Sequence, residues 1–192
     1  MWYDVAVDFD WRRPIALKIR NLKVLTECGM LIAVALALSN VKIFQMPSGG
    51  SVSLGPLPLM LLAARHGVAT GVISGALLGI LALVNRPYIV HPVQFLLDYP
   101  FAFASLGLAG MMQWQNQLKA TTATTAANFV RLHFHVVAGA VFFVADKDTV
   151  TQALLASYAY NISHILPETV ICAALAGYMA RYHQTLCARQ SN

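Results

Sequence analysis

A chain of 192 residues that is 58% hydrophobic and 11% charged, with a mean hydropathy of +0.61, cannot hide its apolar surface in a soluble core. Soluble domains carry about 25% charged residues, so this composition excludes an ordinary soluble enzyme and makes the bilayer the solvent. The net charge of +5 comes from Lys and Arg near the ends of apolar runs, which is a topology signal and calls for no nucleic-acid partner.

Residues 1–20 carry Asp4, Asp8, Asp10, Arg12, Arg13, Lys18 and Arg20 and no apolar core of signal length, so they read as a cytoplasmic tail. Leu22 to Val41 is a first helix, interrupted by Glu27, which is expected to lie at the interface or pair with Lys23 one turn away. A loop over Lys42–Ser53 follows, with Met46-Pro47-Ser48-Gly49-Gly50 inside it. Leu54 to Ala64 is a short second helix ended by Arg65-His66-Gly67. At about 1.5 Å per residue it cannot span a bilayer alone, and is expected to be tilted, broken or partly buried. Val68 to Val84 is a third helix, with Gly71, Gly75 and Gly79 at four-residue spacing that lets another helix approach closely. Asn85–Pro92 is a loop. Val93 to Met112 is a fourth helix with Asp98 and Pro100 inside, and Gln113 to about Ala126 is polar and Thr-rich. Phe129 to Val144 anchors a fifth helix, Ala145–Thr149 is a tight turn, and Val150 to about Tyr182 is a long sixth helix expected to kink at Pro167. Helices alone are expected, because isolated strands leave backbone groups unsatisfied in lipid.

The fold class is therefore all-α, a membrane bundle of six transmembrane helices spanning residues 21–184, with short tails at 1–20 and 185–192. Lys and Arg concentrate on the side that holds Arg12, Arg13, Lys18, Arg20, Lys23, Arg65, Lys119, Arg181 and Arg189, against Lys42, Arg86 and Lys147 on the other. That asymmetry places both termini in the cytoplasm. Cys28, Cys172 and Cys187 lie far apart with no CxxC pair and offer neither a metal nor a disulfide framework.

A carboxylate in hydrocarbon costs about 2.5–3.5 kcal/mol on insertion scales and needs a reason. Asp98 lies six residues after Pro92, followed by Tyr99. On the fifth helix His135, Gly139 and Phe143 share one face, and on the sixth Ser157, Asn161, His164 and Glu168 form one stripe. If these faces converge, Asp98, His135 and Asn161 meet beside Tyr99, Phe143 and the outer-loop Tyr88 in a pocket open to the outside. An anionic group among aromatic faces suits a cationic or amine-bearing aromatic ligand. The plainer alternative for Asp98 is a structural lock with Arg131 or His135. Glu168 is expected to serve the inner half of the sixth helix, and Ala33 and Ala37 on the first helix, a small-xxx-small pair, serve internal packing or the docking of another membrane subunit.

Several stretches resemble the thiamine-specific substrate-binding (S) components of energy-coupling factor (ECF) transporters. They are Met46-Pro-Ser-Gly-Gly-Ser-Val-Ser-Leu54, Ala64-Arg-His-Gly-Val68, Tyr88-Ile-Val-His-Pro-Val-Gln-Phe-Leu-Leu-Asp-Tyr99, His135-Val-Val-Ala-Gly-Ala-Val-Phe-Phe143 and Tyr160-Asn161. The likeness runs from about Lys18 to the end of the sixth helix. It implies a six-helix fold in the prokaryotic plasma membrane that holds thiamine near its outer face. By resemblance, Asp98 contacts the aminopyrimidine, Tyr99 and Tyr88 touch the ligand, His135 and Gly139 line the pocket, Phe143 stacks on the ligand and Asn161 makes a polar contact. Ala33 and Ala37 would meet a transmembrane coupling subunit driven by two ATPase subunits. Ala156 departs from the family's frequent tyrosine, and Gly49-Gly50 from the tryptophan of some members. The chain has no GxxxxGK[ST] run, so a partner must supply ATP energy. No cofactor is implied. Two alternatives stand beside this reading: a binder of another heteroaromatic vitamin or a thiamine precursor, and a metal-dependent intramembrane enzyme built on His133, His135, His164 and Glu168.

Overall fold

The structure is a computed structural model that describes residues 19–46, 49–84, 88–144 and 149–190. The expectations for the N-terminal tail, for Arg86 and for the Ala145–Asp148 part of the last turn lie outside the described residues. Six helices follow in order: α1 (Ile19–Asn40), α2 (Pro56–His66), α3 (Val68–Ala82), α4 (Pro92–Met111), α5 (Gln117–Phe142) and α6 (Val150–Gln190). Three segments, Leu22–Asn40, Pro92–Met111 and Val150–Tyr182, are long and apolar enough to cross a membrane, and Val68–Ala82 is a shorter apolar helix.

Local chemistry sets the boundaries. Pro56 opens α2, where a missing N–H costs nothing, and Gly67 ends it at φ +90°, a left-handed conformation that side chains resist. Asn116 caps α5 by accepting from Lys119 N–H at 2.8 Å, and His91 caps α4 by accepting from Val93 N–H at 3.1 Å. Pro100 lies inside α4, and around it Leu97–Phe101 forms a wider π-helical turn. A proline has no N–H to give to the carbonyl four residues earlier, so the ladder loosens there. The 41-residue α6 runs through Pro167 as one helix.

Two sequence expectations change. The expectation of helices alone is corrected by an antiparallel hairpin between α1 and α2, with β1 (Lys42–Gln45) pairing Phe44 to Val52 and Gln45 to Ser51 of β2 (Ser51–Ser53). It is tolerated because its backbone is satisfied by the partner strand and by α6: Ser53 N–H donates to Glu168 Oε1 at 3.0 Å and Gly50 N–H to the Tyr160 hydroxyl at 2.9 Å. The fifth helix begins at Gln117 rather than near Phe129, so the Thr-rich segment is helix. Thr122 returns its hydroxyl to Leu118 O at 2.8 Å, and Ala120 packs against Ala176 and Ala180 of α6. Helices in lipid associate by close packing of small residues, and this seam is built that way.

The same rule joins α3 to α4. A Cβ on Gly75 would strike the Phe103 carbonyl, and one on Gly79 the Tyr99 carbonyl, so α3 lies directly on the backbone of α4 at its π turn. Ile32, Ala35, Leu59, Met60, Leu78, Leu106 and Cys172 form the common core that positions the polar residues above it.

Candidate ligand niche

The π turn of α4 carries Asp98, and both of its carboxylate oxygens are engaged. His135 Nδ1 on α5 stands 2.9 Å from Oδ1, and Gln94 Nε2 donates to Oδ2 at 2.7 Å. A carboxylate accepts only, so Nδ1 carries the proton and the other ring nitrogen is left to define the tautomer. That Nε2 is buried and meets no protein partner. A neutral His135 therefore offers an acceptor there, and a charged one a donor.

Aromatic rings stand above this pair. Tyr88 and Phe143 stack with centroids 5.7 Å apart and 25° between planes, and His91 stacks on Phe142 at 5.0 Å. The Tyr99 hydroxyl lies 3.3 Å from Tyr88 N–H and 3.4 Å from Tyr88 O. Tyr88 and Phe143 are exposed, whereas Asp98 and His135 are mostly buried, so the rings form a rim and the carboxylate–imidazole pair a floor. On the other flank Asn161 Nδ2 reaches His135 O at 3.5 Å and Ser157 O at 2.9 Å, and Ser157 donates to Val136 O at 2.8 Å. Gly139 makes this approach possible, since a Cβ there would collide with the Ser157 hydroxyl. Asp98, His135 and Asn161 thus share one neighbourhood, with Tyr99, Tyr88, Gly139 and Phe143 around them.

Other expectations shift. Asp98 pairs with His135 and not with Arg131. Arg131 instead binds Glu168, with its guanidinium 5.2 Å from the Phe103 ring centroid. Glu168 is 1% exposed and also accepts from the Ser53 hydroxyl at 3.1 Å, so it ties α5, α6 and the hairpin together. Glu27 does not depend on Lys23. It pairs with Arg65 and His66 at the end of α2, because the packing of α1 on α2 brings those side chains to it. His133 turns to Phe129 O at 2.8 Å and His164 to Tyr160 O at 3.2 Å. Among the described residues no three His, Cys, Asp or Glu side chains stand together as a metal site. Sequence reasoning missed Gln94 as a site residue. Its signal was the four-residue spacing to Asp98 across one helical turn. Ala33 and Ala37 are exposed on α1, while Ala35 is buried against the bundle.

Six helices with a carboxylate–imidazole pair partly buried beneath an aromatic rim define a multi-pass membrane protein with a polar niche among its helices. Residues 25–188 match the family described as thiamine transporter protein (Thia_YuaJ), and the chain belongs to that family. It is 32% identical to the thiamine transporter ThiT of Bacillus subtilis (strain 168), covering 80% of this chain and 88% of that protein. It is 26% identical to the thiamine transporter ThiT of Lacticaseibacillus paracasei, covering 83% and 88%. A solved structure of ThiT from Listeria monocytogenes superposes with a TM-score of 0.68 at 25% identity, covering 82% of this chain and 94% of that one. The family is one of transport proteins rather than enzymes, and the chain is a multi-pass protein of the prokaryotic plasma membrane.

Proposed function

We propose that this chain captures thiamine in the niche between α4, α5 and α6 and serves as the substrate-binding component of an ECF-type uptake transporter. The carrying observation is the Asp98–His135 pair, which joins the membrane-crossing α4 to α5, with His135 Nε2 buried and without a protein partner. Thiamine couples an aminopyrimidine to a cationic thiazolium ring. The Asp98 carboxylate and the His135 nitrogen suit the polar edge of the first, and the Tyr88 and Phe143 faces suit the flat cation, where such contacts contribute about 0.5–2 kcal/mol each. Tyr99 holds Tyr88 in place, Gly139 leaves room, and Asn161 closes the flank.

The orientation in this reading puts both termini in the cytoplasm and the niche outside. It is supported by Lys23, Arg65, Lys119 and Arg181 near one end of the bundle, against Lys42 near the hairpin at the other. Uptake against a gradient needs energy that this chain has no motif to supply. A transmembrane coupling subunit with two ATPase subunits is the expected partner, docking on the exposed Ala33 and Ala37 of α1.

Isothermal titration calorimetry of the purified protein in detergent tests the core of this reading. Saturable, one-to-one thiamine binding is the expected result. Absence of binding at micromolar thiamine overturns it, and heat from the pyrimidine precursor alone moves the assignment to that precursor.

A further inference from the structure

Gln94 occupies an unusual place for a polar side chain in a membrane helix. It is 1% exposed, and each arm of its amide is engaged. Nε2 donates to Asp98 Oδ2 at 2.7 Å and reaches Tyr88 O at 3.4 Å, while Oε1 accepts from Val90 N–H at 3.2 Å. The assignment of oxygen and nitrogen is fixed by these partners. Val90 N–H can only donate and a carboxylate can only accept, so a flipped amide would break both bonds. Glutamate would keep the bond to Val90 but set a second anion against Asp98. An apolar side chain of equal length would free the carboxylate oxygen and release the loop.

We infer that Gln94 is a positioning residue for ligand binding, one amide that aims the Asp98 carboxylate and anchors the Tyr88–Val90 loop whose ring forms the rim. The inference rests on the thiamine reading above. Gln94 itself is buried beneath the loop and acts through Asp98 and Tyr88. With Oδ2 held by Gln94 and Oδ1 by His135, the carboxylate plane has no freedom to rotate, and what it presents to a ligand is preset. Tyr88 is held twice, by Gln94 at its carbonyl and by the Tyr99 hydroxyl at both backbone groups.

The test is a double-mutant cycle read by thiamine calorimetry on the full chain, with wild type, Gln94→Met, Asp98→Ala and the double variant. Gln94→Met is expected to weaken binding roughly tenfold, the size of one hydrogen bond to a charged group. In the Asp98→Ala background the same change is expected to cost clearly less than in wild type, because only its hold on the Tyr88–Val90 loop is left to lose. Penalties that multiply fully, or a Gln94→Met protein that binds like wild type, overturn the inference. Thermal unfolding reports whether each variant folds. Should Gln94→Met fail to fold, Gln94→Glu keeps the shape and the Val90 bond and carries the test, with a loss of at least tenfold expected and wild-type affinity overturning it. A wild-type protein that binds no thiamine sinks the functional reading and this inference with it, whereas wild-type binding with an indifferent Gln94 sinks the inference alone.

Discussion

His135 Nδ1 and Asp98 Oδ1 stand 2.9 Å apart on two different helices, joining the π turn of α4 to the C-terminal third of α5. This contact makes a site out of two stripes that would otherwise each be a burden in lipid. The pair satisfies one nitrogen of the imidazole and leaves the other buried without a protein partner.

Asp98→Asn keeps the shape and removes the charge. Thiamine affinity is expected to fall about 10- to 100-fold, the equivalent of about 1.5–3 kcal/mol for a hydrogen bond to a charged group. Thermal unfolding of the same sample is expected to change little. Unaltered affinity with lowered stability would mark Asp98 as a structural lock with His135.

Arg131 and Glu168 form a buried ion pair, and the two single losses are expected to hurt more than the joint one. Arg131→Met or Glu168→Met should each destabilise the protein by about 3–5 kcal/mol, because the surviving charge is stranded. The double replacement should recover part of that loss. Unfolding midpoints in detergent measure this, and singles that unfold like wild type would contradict it. The Ser53 contact adds a local readout, since protease cutting in the hairpin should quicken when Glu168 is lost.

Gly79→Val sets a side chain against the Tyr99 carbonyl and Pro100 nitrogen. Overpacking of this kind costs about 1–3 kcal/mol, and here the displaced backbone is the one next to Asp98. Both stability and thiamine affinity are expected to drop. Gly29→Ala is the control, since a Cβ there meets nothing within 4 Å and neither quantity should move.

Ala33→Trp and Ala37→Trp act on an exposed face of α1. Binding by the isolated protein is expected to persist, while uptake in cells carrying the coupling subunit and ATPases falls. Full uptake would show that the subunit docks elsewhere.

Much of this architecture was legible because apolar run length is a direct signal in a membrane chain. The spans of α1, α3, α4 and α6 were readable from composition, and the turn at Gly67 from its Arg-His-Gly sequence. The four-residue spacing of His135 and Gly139, and the four-, three- and four-residue steps of Ser157, Asn161, His164 and Glu168, predicted which residues share a face. It could not say which face meets which. Arg131 was an equal match for Asp98 on charge alone, and only the packing of α5 on α6 assigns it to Glu168. Glu27 illustrates the same limit, because a nearby Lys23 is visible in sequence and the distant Arg65 is not. The Thr-rich start of α5 misled for another reason. Hydropathy scores threonine as polar, although its hydroxyl returns to the preceding turn, as Thr122 does, and so costs the helix little. The hairpin was hidden because three or four residues are too few to show alternation, and its support comes from Tyr160 and Glu168 more than 100 residues away.

The π turn at Leu97–Phe101 has an effect beyond holding Asp98. It shifts the angular phase of α4, so the arm with Gln94 and the rod that carries Phe103 and Gly107 against α3 follow separate registers. The two are still joined at one point, because Gly79 of α3 lies against the Tyr99 carbonyl, so the seating of α3 reaches the backbone that carries Asp98.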